Sequence, residues 1–426
     1  DMIEGGISGS VNINTRKPFD TKDTLVYLSG SVNYGDYNGR SEPAVVGLFS
    51  KQWNLNNGGR FGIMASGSYN RQRSRSDSVF YSAFLPRYND DKNGNGQQDA
   101  GEGRVLNPGT PYQSTLFDRY PVPSGRDVVY VPLGAGMRMQ NFDRKRVGYS
   151  GAAQYENASR NLLVTAQFLR AESSQTWLDR TVEPNVYYAD ANAIFPQAGT
   201  TPTYDDDGLF TSGTLIRQGG GQYTTLGNRY FQTKGYTQDQ SLNVKWDPTD
   251  RLHLNFDGQY VYSKARDSDD VVELANFNGV SIDGRGDVPQ INLIPANGQS
   301  VGDYFASQTN TYIRDAMTNR THADGDEWAF RADAQYDVSD DSFLRKVRVG
   351  GRYATRDQTV KANDYNNWGA VSDTWTSGGL ASVDKYRDSM TPVNFADFYR
   401  GEAVQPPAAL RQAVDDPPQP AHADAR

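Results

Sequence analysis

Segments in which apolar and polar residues strictly alternate occur along this chain in pairs joined by only a few residues. From Arg251 to Tyr262, one parity holds Leu252, Leu254, Phe256, Gly258, Tyr260 and Tyr262, and the other holds Arg251, His253, Asn255, Asp257 and Gln259. A period of two is the signature of a strand with one apolar and one polar face. Ser241 to Trp246 repeats it, with Leu242, Val244 and Trp246 against Ser241, Asn243 and Lys245. The intervening Asp247-Pro248-Thr249-Asp250 consists of turn formers, so the two segments read as a hairpin. A second pair places Phe330, Ala332, Ala334, Tyr336 and Val338 opposite Arg331, Asp333, Gln335 and Asp337, and continues past Ser342 as Val347, Val349, Gly351 and Tyr353.

Weaker pairs lie upstream, at Val147–Tyr155 with Leu162–Phe168, and at Ala44–Trp53 with Phe61–Tyr69. A first, unpaired strand is expected near 24–35. The rest fall near 44–53, 60–75, 145–156, 160–172, 235–246, 250–264, 327–338 and 345–360, which makes about nine strands. The pairs are separated by polar connections of roughly forty to sixty-five residues. Short turns on one rim and long loops on the other are how outer-membrane β-barrels are built. The expected fold class is therefore all-β, an antiparallel up-and-down transmembrane β-barrel with long extracellular loops.

An aromatic precedes each short turn: Trp53, Tyr155, Trp246 and Tyr336. Tyr34, Tyr69 and Tyr262 supply the opposite edge. Such rings gather where hydrocarbon meets water, and barrels carry a girdle of them at each interface. The plain alternative is that aromatics favour strands in general. A mean hydropathy of −0.72 is compatible with a barrel, because only alternate strand residues face lipid. No apolar run is long enough for a spanning helix. The net charge of −8 and the lack of a basic stripe argue against nucleic acid as a partner. With no Cys there is no disulfide and no thiol chemistry, which suits an oxidising envelope.

The chain reads as cut at both ends. It opens without Met or a signal peptide, and it closes on Pro406-Pro407, Pro417-Pro418 and Pro420 amid Ala and Asp, a tail over 362–426 unsuited to a closing strand. About nine strands form an open sheet whose edges hydrocarbon does not tolerate. Residues 4–19, Glu-Gly-Gly-Ile-Ser-Gly-Ser-Val-Asn-Ile-Asn-Thr-Arg-Lys-Pro-Phe, combine a Gly-rich turn, a short alternating strand and a basic-Pro link. This segment resembles the end of the plug domain of TonB-dependent outer-membrane receptors, closest to the Caulobacter/Xanthomonas-type branch, with 1–20 as the end of the plug and 21–361 as part of the barrel. The resemblance implies about nine strands of a 22-stranded barrel in the outer membrane of a Gram-negative cell. It also implies that outer-membrane lipid and the TonB complex are partners, and that a scarce solute is imported actively. The TonB box, most of the plug and the later strands are missing from this stretch. A ferric-siderophore, iron or cobalamin receptor of the same family, a passive porin or adhesin, and a secreted calcium-binding all-β domain stand as alternatives.

Residues 91–102 satisfy the EF-hand loop pattern, with oxygen ligands expected from Asp91, Asn93, Asn95, the Gln97 carbonyl, Asp99 and Glu102, and Gly96 at the sharp turn. Structural Ca²⁺ at extracellular-module affinity is the expectation, and no other cofactor is required. A solvated Asn/Gly turn cluster is the alternative. Catalysis is not expected, since His253, His322 and His422 form neither a nucleophile elbow arrangement nor a metal-spaced pair. Trp177, Tyr187, Tyr188, Trp368 and Trp375 are expected in the long loops among many amides and carboxylates. Aromatic platforms with such partners suit sugar rings, so the solute leans toward an oligosaccharide. Ordinary loop packing is the alternative.

Overall fold

The computed structural model describes residues 15–185, 194–217, 222–296, 298–339, 343–363, 367–372, 381–383, 390–407 and 409–412. Nine long strands form one antiparallel up-and-down sheet, each beside its predecessor in the chain. They are β1 (Leu25–Gly35), β2 (Arg40–Asn54), β3 (Arg60–Tyr81), β4 (Ala135–Glu156), β5 (Leu162–Pro184), β6 (Gln222–Thr249), β7 (Leu252–Asp283), β8 (Tyr312–Asp337) and β9 (Lys346–Ala362). Residues 55–59, 157–161, 250–251 and 338–345 connect them at one end, the turn end. Residues 36–39, 82–134, 185–221 and 284–311 connect them at the other, the loop end.

Three expectations need correction. The first strand is not unpaired: β1 pairs along its whole length with Arg40–Ser50 of β2, around a tip whose Gly39 takes a φ of 64°. Several strands run far past their expected ends, β7 for 32 residues. Midway along the strands both faces become polar, as in Arg71-Gln72-Arg73-Ser74-Arg75-Ser76, so the alternation fades while the backbone ladder continues. Finally, residues 362–426 are not all loop and tail. Trp368–Ala370 pairs with β8, and Phe395, Phe398 and Ala403 are buried, because isolated aromatics in a polar tract can still fill a gap between other loops.

The sheet's two faces differ, and the apolar face changes character along the strands. At the loop end, Met137, Val182, Leu226, Leu274 and Ile313 form one cross-strand row on that face, each 5% exposed or less. Loop residues including Val129, Val131, Phe210, Ile291, Phe305 and Phe398 cover this row and complete a single core. At the turn end the same face is bare: Leu242 is 50% exposed, Phe330 51% and Val349 70%. Trp53, Trp246 and Tyr336 stand exposed along the turn edge, and the Trp53 and Phe61 rings stack there at 6.0 Å. Leaving large apolar side chains in water forgoes about 1.5–3 kcal/mol each.

The polar face of β2 to β5 is partly covered by residues 15–21. Gln167 donates from Nε2 to Thr15 Oγ1 at 2.7 Å, the Phe19 N–H donates to Gln154 Oε1 at 2.9 Å, and Gln52 donates to the Thr21 carbonyl. Pro18 and Phe19 lie so close over Gly62 that a Cβ there would stand 2.7 Å from Pro18 Cβ. The glycine is required by that approach.

Candidate functional site

Trp177 does not lie in a loop. It sits within β5, on the polar face above the bare apolar band, with Phe142 of β4 and Phe231 of β6 as its direct cross-strand partners. The Trp177 and Phe231 rings are 5.6 Å apart. The Arg229 guanidinium lies 5.0 Å from the Trp177 ring and makes two hydrogen bonds to Asp269, at 2.8 and 2.6 Å. Beside them Arg144 donates to Gln175 Oε1 at 2.9 Å, and Gln140 donates to Asp179, whose carboxyl burial pushes above the ordinary range. The patch thus offers an aromatic wall edged by fixed donors and acceptors, the combination that suits a ring bearing C–H faces and hydroxyls.

Phe142, Phe231, Arg229 and Asp269 were not singled out in the sequence. Phe142 and Phe231 fall in stretches that read as loop, and register alone brings them to Trp177. Trp368 is not part of this group, since it pairs with Met317 of β8 and is 40% exposed. Tyr187, Tyr188 and Trp375 lie outside the described residues.

Nearer the loops, a second polar cluster spans β7 and β8. Arg314 donates from Nη1 to Glu273 Oε2 at 2.7 Å, and its Nε lies 3.4 Å from Asp315. Its guanidinium also lies over the Tyr223 ring. Burial, with the negative charge of Asp315 second, pushes the Glu273 carboxyl up to about 7. Burial raises the nearby Glu183 as well. Burial and like charge thus outweigh the attraction of Arg314, and the Glu273 carboxyl keeps its proton to higher pH than a free one.

The 91–102 loop closes on itself. The Gly94 and Gly96 N–H groups donate to the two Asp91 carboxylate oxygens at 2.7 and 2.8 Å, and Gly96 holds a φ of 78°. Glu102 accepts from the N–H groups of Lys92 and Asp99, while the Asn95 and Gln97 N–H groups donate to Asn93 Oδ1 and Asn95 Oδ1. Asn93 and Asn95 both aim their amide nitrogens at Asp99 Oδ2, at 2.7 Å each. The expected ligands thus bond to the loop's own backbone and to one another, with the Asn93 and Asn95 amides as donors to Asp99, and a cation would require those amides to turn over. Among the described residues no group of three or more acidic or histidine side chains is assembled to hold a metal ion.

The plug-like motif falls largely on residues 1–14, outside the described residues, while its link is the segment held on the polar face. No family model, no curated protein and no solved structure matches the chain.

Proposed function

We propose that this chain is a segment of a TonB-dependent receptor of the Gram-negative outer membrane, which binds a scarce solute at the cell surface and imports it with TonB-transduced energy. The single observation carrying the proposal is the bare apolar face at the turn end of an antiparallel sheet whose opposite face is polar. From Leu252 to Tyr262 the band covers ten residue steps, about 34 Å along the strand at ~3.4 Å per residue. Tilted by about 40°, that is about 25 Å of height, the thickness of the apolar belt of outer-membrane barrels. Among the described residues β1 and β9 each pair on one side only, so closure would bring further strands to those two edges. The 15–21 link on the polar face favours a plugged receptor over an open porin.

The solute is proposed to be an oligosaccharide, on the strength of the Trp177 patch and its flanking polar groups. Uptake of labelled oligosaccharides by cells that carry the receptor, with and without a working TonB complex, tests this. Import that persists without TonB would reject it, and Trp177→Ala is expected to weaken solute binding about five- to 150-fold, since stacking on one aromatic is worth about 1–3 kcal/mol. For the 91–102 loop, structural Ca²⁺ is proposed, bound once the Asn93 and Asn95 amides turn. Calorimetric titration to millimolar Ca²⁺ without heat would remove that ion.

A further inference from the structure

Three polar atoms in the loop-end core stand together without a hydrogen-bond partner. Thr224 of β6 and Asn276 of β7 are direct cross-strand partners, and Asn278 lies two residues further along β7 on the same face. All three residues are 0% exposed, and among the described residues Thr224 Oγ1, Asn276 Oδ1 and Asn278 Oδ1 meet no partner. Leu226, Leu274 and Val280 are their neighbours on that face along the two strands, equally buried and with no polar atom in the side chain. Native cores rarely leave such atoms unpaired.

Turning the amides over does not relieve them. Asn276 donates from Nδ2 to Thr311 Oγ1 at 2.9 Å, and the Thr311 hydroxyl gives its one proton to the Ser307 carbonyl at 2.9 Å. A hydroxyl so committed only accepts, so the Asn276 nitrogen has to face it. Asn278 donates from Nδ2 to the Gly279 carbonyl at 2.8 Å, and a carbonyl also only accepts. Both Oδ1 atoms are thereby fixed as acceptors in need of a proton, while the Thr224 hydroxyl has a proton to give.

Two acceptors and one donor are the complement of a water molecule, which offers two protons and accepts a third. We propose that one buried water donates to Asn276 Oδ1 and Asn278 Oδ1 and accepts from the Thr224 hydroxyl, making the three bonds usual for internal water. The two amides are two residue steps apart, about 7 Å along the strand, a gap that one molecule bonded to both oxygens closes. None of the three side chains is charged, so a cation there would be buried without a counter-charge. Through this water, Thr224, Asn276, Thr311 and the Ser307 carbonyl become one hydrogen-bonded chain from β6 across β7 to the end of the short helix Val301–Ala306, whose Phe305 packs into the core. The site is independent of what covers the turn end.

Crystals of the full chain that show ordered solvent, grown once with sodium and once with thallium(I) acetate, test the site directly. One density peak within about 3.2 Å of all three atoms, with no anomalous signal from thallium, is expected. A thallium peak there overturns the proposal in favour of a monovalent cation. Absence of any peak, or direct contact between Thr224 Oγ1 and an amide oxygen, overturns it as well. In denaturant melts, Thr224→Val keeps the shape of the side chain and removes its hydroxyl. The folded-to-unfolded ratio should fall about two- to tenfold, because a satisfied hydrogen bond is lost, and amide exchange over 301–311 should quicken. An equal or higher ratio would mean that the hydroxyl had been an orphan, and would overturn the bridge. Should Thr224→Val fail to fold, Asn278→Leu leaves the bond from Asn276 to Thr311 in place and is read by the same sign.

Discussion

The turn end and the loop end of the apolar face use the same strands, the same parity and similar residue types, yet they solve opposite problems. At the loop end Leu226 and Leu274 are fully buried, because segments from three connections and from the stretch after β9 fold over them. At the turn end Leu242, on the same strand as Leu226, is half exposed, with no cover from the described residues. An apolar side chain gains by leaving water, whatever replaces the water. The loop end supplies its own cover, whereas the turn end would receive its cover from lipid on the membrane reading proposed above.

The largest expected effect that separates the two ends comes from the loop side. Arg87 and Asp118 are 0% exposed and joined by two hydrogen bonds at 2.9 and 3.0 Å, with the guanidinium 4.3 Å from the Tyr120 ring. Asp118→Ala removes the carboxylate that balances a buried guanidinium and should cost about 3–5 kcal/mol. Hydrogen exchange should report that loss at the loop end and leave the turn-end ladder protected. Next, Leu274→Ala should cost about 2–5 kcal/mol in denaturant melts, through lost transfer and a cavity. Leu242→Ala should cost roughly half of that or less, since no enclosed cavity is left. Equal costs would erase the contrast between the ends.

Leu242→Arg sharpens it from the other side. In a bilayer it should cost about 2–4 kcal/mol near the midplane. If water covers that face, the same change would be neutral or would raise solubility. The smallest effect concerns pH. The Glu273 carboxyl ordinarily titrates at 4.5 and is raised to about 7 in the fold, so the folded state holds more protons than the unfolded state between those values. Its stabilising contribution is complete below the lower value and is lost as pH rises through the upper one. Loop-end melting should therefore fall from pH 5 to pH 8, and Glu273→Gln should flatten that slope. An unchanged slope would assign the dependence to other groups.

The turn end was legible in the sequence, because there one parity is apolar and the other polar, as in Leu252–Tyr262. The loop end was not. Arg71, Arg73 and Arg75 lie on the apolar parity of β3 and Gln72, Ser74 and Ser76 on the other, so the period leaves no trace although β3 and β4 stay paired to Tyr81. The β1–β2 hairpin carried a usable sign in Asn38-Gly39, a favoured tight-turn pair. Pro43 and the polar Arg40-Ser41-Glu42 masked the start of β2. Trp177 could be picked out by residue type, but Phe142, Phe231 and Asp269 come to it through register, and register is a property of paired strands rather than of any one segment. The 91–102 pattern named residues that bond within one loop, while the direction of the Asn93 and Asn95 amides is set by their hydrogen bonds to Asp99.

The most direct test of the turn end uses the chain's lack of cysteine. Single cysteines at Leu254, Asn255, Phe256, Asp257, Gly258 and Gln259, each carrying a nitroxide, can be read by relaxation enhancement in reconstituted bilayers with oxygen and with a water-soluble nickel chelate. The expected result is an alternation of period two, with oxygen dominant at 254, 256 and 258 and nickel dominant at 255, 257 and 259. Nickel access at all six positions, or protection of the even positions from both reagents, would contradict a lipid-covered face.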